Sequence, residues 1–276
     1  MTLDPRTHRL LRQHIETERL LGVSAVPVRD ECPDIAPPVP DTDDRPQPAP
    51  RAEASDTARD SVPMPPDVTG LDRQGKLKVL TEMDQREVRI CRKCELHRTR
   101  TQTVFGEGDA DAQLMFVGEG PGQNEDEQGR PFVGRAGEQL DRQIAAMGLR
   151  REQVFIANVV KCRPPNNRAP NPVETDACAA YLHRQIAIIQ PRVIVTLGGP
   201  AMKLLLPQVK LGITKLRGTW HEYHPPWGGA PVAVMPTFHP AYLLRAYTRD
   251  NRMKVWSDLQ AVMKKLGLPT PSDREG

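Results

Sequence analysis

Gly118-Glu119-Gly120-Pro121-Gly122-Gln123-Asn124-Glu125-Asp126, running on through Gly129-Arg130-Pro131-Phe132-Val133-Gly134-Arg135-Ala136-Gly137, is the stretch on which the fold turns. Before it, residues 114–117 form a short apolar run; after it, residues 136–147 repeat their apolar members (Leu140, Ile144, Met147) at helical spacing. The glycines therefore join a strand to a helix. Glycine lets the backbone take positive φ and lets a ligand approach bare N–H groups, and a helix start behind the loop favours a ligand that is, or becomes, anionic. The glycine spacing is not GxGxxG and no Gly-Lys-Ser/Thr follows, which argues against a nucleotide-phosphate loop.

Moving outward, strand-like runs recur at 114–118, 154–158, 193–197 and 232–235, with helical patterns at 136–147, 173–189 and 200–205 between them. The runs are continuously apolar, as in a parallel sheet covered on both faces. This predicts an α/β domain, a three-layer α/β/α sandwich on a mostly parallel four-stranded sheet. In such sheets ligands bind beyond the carboxyl ends of the strands. Three polar elements fall there: the Gly-rich loop, Asn158 closing the second run, and His239 just after the fourth. They predict one crevice, with Phe132 and Glu119 as further members.

Upstream, residues 71–90 read as a helix that delivers Cys91-Arg92-Lys93-Cys94, and Cys162 and Cys178 follow later. In a reducing compartment structural disulfides are disfavoured, so these four thiols point to a shared metal site, either zinc or an iron–sulfur cluster. Cys32 is left over. Residues 1–23 contain a short amphipathic helical pattern (Leu10, Leu11, Ile15, Leu20, Leu21) that could dock on a protein partner or fray. Residues 24–70 form a Pro-rich linker; ten of the 28 prolines lie between Pro33 and Pro66. That composition predicts a disordered tether. The folded domain is expected over 71–266, with a disordered tail at 267–276.

A net charge of +3 with 38% hydrophobic residues permits nucleic-acid binding without demanding it. No apolar run of transmembrane length and no signal-like N-terminal segment is found, so no membrane association and a cytoplasmic location are expected.

The motifs quoted above, together with Asn158-Val159-Val160-Lys161-Cys162-Arg163-Pro164-Pro165-Asn166-Asn167-Arg168 and His239-Pro240-Ala241-Tyr242-Leu243-Leu244-Arg245, resemble the family 4 uracil-DNA glycosylases. The likeness covers roughly residues 71–266, in order. It implies a monofunctional DNA repair enzyme, a monomer acting on uracil-containing DNA. It also implies a [4Fe-4S] cluster held by Cys91, Cys94, Cys162 and Cys178, with zinc the lesser option.

Uracil would be flipped out of the stack and stacked on Phe132, and its O4 and N3–H read by Asn158. His239 would donate to O2 as negative charge develops, helped by N–H groups around Gly120. Glu119 or Glu125 is then the carboxylate that orients water, a choice the sequence leaves open. Arg163, Arg168 and Arg245 are candidate DNA contacts, and Tyr242, Leu243 and Leu244 candidates for the wedge that fills the vacated stack. Two other readings are a protein that crosslinks covalently to its product and a non-catalytic iron–sulfur DNA-binding module. The first needs a nucleophilic histidine in residues 163–172, where there is none, and mere binding would not require Asn158, Phe132 and His239 together.

Overall fold

The computed structural model describes residues 64–270. The expected amphipathic helix at 1–23, Cys32, most of the linker and the last residues of the tail lie outside the described residues.

Four strands form the parallel heart of the sheet. They are β2 (Leu114–Gly118), β3 (Phe155–Asn158), β4 (Val193–Leu197) and β6 (Val232–Thr237), and they stand in the order β3-β2-β4-β6. Two short antiparallel strands extend it to six: β1 (Glu107–Gly108) on β3 and β5 (His221–Tyr223) on β6. The four-stranded expectation is thus corrected at both edges. The added strands have two and three residues, and neither carries an apolar run that a sequence reading could detect.

Every residue of β2, β3 and β4 is buried, as a sheet covered on both faces requires. The pleat divides them between two cores. Met115, Val117, Ala157 and Ile194 face one side, with Leu182, Ile186 and Ile189 of helix α4 (Pro172–Ile189) and Met202 and Leu205 of α5 (Gly199–Leu205). Leu114, Phe116, Ile156, Val193 and Val195 face the other, with Leu140 and Ile144 of α3 (Arg135–Ala146) and Val255, Leu259 and Val262 of α8 (Arg249–Leu266). Helices on both faces make the three layers.

Local signals set the helix boundaries. Asn171 and Glu174 form a capping box around Pro172 at the start of α4. Thr248 caps α8, whose end is marked by Gly267 at φ +72°. The helix expected over 71–90 is α1 (Arg73–Met83), capped by Asp72, followed by a π-helical turn over Asp84–Val88 that leads into Cys91. Between α3 and the chain ahead of it lies the short α2 (Gln123–Gln128); α6 (Ile213–Leu216) and α7 (Pro240–Arg245) are likewise short. Val68, ahead of α1, is buried against the first core.

A buried polar knot ties α8 to the end of β6. Asp258, 1% exposed, accepts from Thr237 Oγ1 at 2.6 Å and from Arg217 Nε at 3.0 Å, and Arg217 Nη2 reaches its other oxygen. Thr237 stands two residues before His239, so this knot fixes the strand end that carries the histidine. Removing one partner of a buried pair leaves a charge uncompensated. Asp258→Ala should therefore lower unfolding stability by about 3 kcal/mol, read as a shift of the urea midpoint at constant slope.

Candidate active site

Beyond the carboxyl ends of the parallel strands lies a crevice of about 370 Å³. It opens where the chain, having run from β2 to β3 on one side, crosses back to β4 on the other, the position at which such sheets take ligands. Glu119, Gly120, Glu125, Phe132, Asn158, Arg168, His239 and Arg245 all line it. The structure thus brings together every crevice residue expected from sequence. Arg163 is not among the lining residues; its Nε donates to Asn167 Oδ1 at 2.7 Å.

The end of β2 sets the spacing. A Cβ at Gly118 would lie 2.4 Å from Asn158 Oδ1 and 2.5 Å from Phe132 Cζ, so the two side chains close over a backbone that must be bare. Phe132 itself adopts φ +52°, unusual for a non-glycine residue. Gly137 permits this turn by close approach: a Cβ there would sit 1.9 Å from the Phe132 carbonyl oxygen. Arg151 clamps the same turn, donating to the Pro131 carbonyl while pairing with Glu107 and Asp141.

Asn158 is 2% exposed and its Oδ1 has no hydrogen-bond partner. A buried amide oxygen left unpaired costs free energy that a ligand donor would recover. His239 caps α7: its Nδ1 accepts from the Ala241 N–H at 3.1 Å, which leaves the proton on Nε2. Burial depresses its pKa to about 4, with the Arg245 charge acting in the same direction, so the ring is neutral near pH 7. Its ring centroid is 5.6 Å from that of Phe132.

The two carboxylates differ. Glu125 is fully engaged, its Oε1 accepting from the Val133 and Gly134 N–H groups at 2.8 and 2.9 Å and its Oε2 from Gly122 at 3.1 Å. It holds both halves of the Gly-rich loop. No hydrogen bond among the described residues holds the Glu119 carboxylate, and burial pushes its pKa upward. Arg168 is bound bidentately by Glu174 at 2.7 and 2.8 Å, whereas Arg245 lies exposed on the crevice rim. Of the wedge candidates, Leu243 is 1% exposed and belongs to the core, and Tyr242 is exposed. Leu243 is thus corrected to a packing residue: in α7 it lies on the face that packs on the second core.

The four cysteines line a second, separate cavity together with Val88, Lys93, His97, Arg100, Lys161, Ala177 and Tyr181. None is in a disulfide. Burial raises the pKa of Cys94 and Cys162 and pushes Cys178 up to about 12, so as bare thiols they would stay neutral and unreactive. Polar partners nonetheless face the sulfurs: Arg100 Nη1 lies 3.0 Å from Cys162 Sγ, and the Lys161 N–H points at Cys178 Sγ at 3.3 Å. Cations and N–H donors around buried sulfur suit thiolates ligating a metal centre. Among the described residues no three His, Cys, Asp or Glu side chains are grouped to hold one metal ion.

Among the described residues no helix is long and apolar enough to cross a membrane. Residues 105–260 match the uracil DNA glycosylase superfamily. The chain is 49% identical over 181 residues to a type-4 uracil-DNA glycosylase of Thermotoga maritima, covering 66% of this chain and 92% of that protein. To the enzyme of the same description from Archaeoglobus fulgidus it is 43% identical over 190 residues, 68% of this chain and 94% of the other. For Sulfurisphaera tokodaii the identity is 50% over 169 residues, 59% and 75% of the two chains. With the match spanning both the crevice and the strands that carry it, the chain belongs to the uracil DNA glycosylase superfamily, within its type-4 family.

Proposed function

We infer that the protein excises uracil from DNA by hydrolysing its N-glycosidic bond and leaves an abasic site. The observation that carries this reading beyond kinship is the unpaired, buried Asn158 Oδ1 in a crevice it shares with Phe132 and His239. A flipped uracil presents N3–H as a donor to that oxygen, whereas cytosine presents a bare N3. Phe132 supplies the stacking face.

In the reaction the C1′–N1 bond breaks and its electron pair leaves with uracil, with charge on N1 and O2. The neutral His239 donates Nε2–H to O2, and the N–H groups about Gly120 add to it. Water attacks C1′ and its proton passes to solvent. Glu119, the carboxylate left uncommitted, orients that water and balances the positive sugar. Glu125 instead keeps the loop in shape. Arg245, which lines the crevice and is exposed, would meet a phosphate, Arg168 being paired with Glu174.

Cys91, Cys94, Cys162 and Cys178 would hold a [4Fe-4S] cluster, which would supply a structural cross-link among three chain segments. The donor set supports it: four sulfurs around one cavity, with the Arg100 guanidinium and the Lys161 N–H facing two of them. The reading is of a monomer working in the cytoplasm, where thiols stay reduced, with residues 71–266 as the catalytic domain.

Incubation with a uracil-containing oligonucleotide, followed by alkali and a denaturing gel, tests the activity. Strand scission is expected only at uracil. His239→Ala should lower kcat by about 100- to 1,000-fold, as loss of one oxyanion donor does, and an unreduced rate would remove His239 from the mechanism.

The pH dependence separates the two acids. The ionised Glu119 is lost as pH falls through its raised pKa, whereas His239 stays neutral down to about 4. The rate should therefore fall on the acid side in wild type, lose that limb in Glu119→Gln, and show no inflection near an ordinary histidine pKa. A limb unchanged in Glu119→Gln would point to another group.

Cys178→Ser should abolish the visible absorbance and the bound iron and lower the thermal midpoint. Zinc in place of iron in the purified wild type would overturn the cluster assignment.

A further inference from the structure

Lys161 stands one residue before Cys162, with a side chain only 1% exposed. Lys161 lines the cysteine cavity, and its ammonium donates to the Asn158 carbonyl oxygen at 2.9 Å and to Gln185 Oε1 at 2.6 Å. Gln185, fully buried on α4, is itself fixed by donating from Nε2 to the Phe105 carbonyl at 2.9 Å. The Lys161 backbone is held as well: its N–H faces Cys178 Sγ and its carbonyl accepts from Val104 N at 2.8 Å. On the other side, Val159 N and Val160 N donate to the carbonyls of Gly118 and Glu119 at 3.0 and 3.1 Å. Asn158 thus heads a four-residue stretch of backbone held at both ends, while its own Oδ1 is unpaired.

We propose that the Lys161–Gln185 pair is the positioning element for Asn158, holding its backbone so that the side-chain amide stays aimed at the base edge. Burying a lysine takes a specific compensation, and here its two acceptors lie within one shell of the base-reading residue. Nothing in the strand geometry requires a cation at this place, since β3 ends at Asn158 and its ladder is complete without it. The same residue adjoins Cys162, so the pair makes the wall between the cysteine cavity and the crevice a single unit. Lys161 and Gln185 touch no base; they act through Asn158. The inference rests on the reading of Asn158 given above.

The test uses the full chain with its metal centre in place. Lys161→Met/Gln185→Leu removes the pair with apolar groups of similar shape; it takes one donor each from the Asn158 and Phe105 carbonyls, a stability cost that the thermal midpoint reads separately. Gln185→Glu keeps the acceptor for Lys161 while giving up the bond to Phe105. Three quantities are read: the inhibition constant of free uracil in the excision assay, the affinity for an abasic-site oligonucleotide, and visible absorbance with thermal midpoint. The double variant should raise the uracil inhibition constant and lower kcat/KM by about 10- to 100-fold, as misplacement of a reading group does. Abasic-DNA affinity and absorbance should stay as in wild type, and Gln185→Glu, which keeps the acceptor for Lys161, should retain uracil binding close to wild type. A double variant that binds uracil like wild type overturns the proposal. A parallel loss of abasic-DNA affinity or of absorbance also overturns it, by reducing the pair to a general structural support. If wild type itself neither binds nor releases uracil, the functional reading fails, and the proposal with it.

Discussion

The site depends on a close approach at the end of β2, where Asn158 and Phe132 converge over Gly118 with no room for a methyl group. That contact fixes how far the Asn158 amide stands from the Phe132 ring. Much of the surrounding structure serves to hold the two partners there. Gly137 and Arg151 keep Phe132 in its left-handed turn, and Glu125 gathers the N–H groups of the loop between them. The parallel pairing of β2 with β3 brings Gly118 opposite Asn158 in register. A single-residue slip of β3 would turn the amide to the opposite face of the sheet.

Electrostatics complete the arrangement by exclusion of charge. His239 is kept neutral by burial and given a defined tautomer by the first turn of α7, so the donor it presents is fixed before any ligand arrives. Such preorganisation spares the reorganisation that water would need. The two glutamates of the loop have divided labour: Glu125 is consumed by backbone N–H groups, and Glu119 is left free in a half-buried setting that raises its proton affinity.

The α/β class, the four central strands and most crevice residues were legible in the sequence, because buried parallel strands are continuous apolar runs and the loop glycines mark close backbone approach. The edge strands were not, since two or three residues of polar sequence leave no period to detect. The helix at 249–266 carries a signal in Val255, Leu259, Val262 and Met263, which lie on one buried face. The division of roles between Glu119 and Glu125 needed coordinates: both are acidic residues of one loop, and only hydrogen-bond geometry distinguishes them. The same holds for Lys161, whose side chain runs against the chain direction to reach Asn158. Leu243 reads equally as wedge or core in sequence, and helical phase decided it.

The two edge strands have a consequence of another kind. A sheet whose outermost strands were long and apolar would offer open rows of N–H and C=O groups to another molecule. Here one flank closes with the two residues Glu107 and Gly108, the former held by Arg130 and Arg151, and the other with His221, Glu222 and Tyr223. Neither gives a second chain enough ladder to extend. The strongly apolar centre of the sheet is thereby guarded against self-templated fibre growth while the newly made chain is still collapsing.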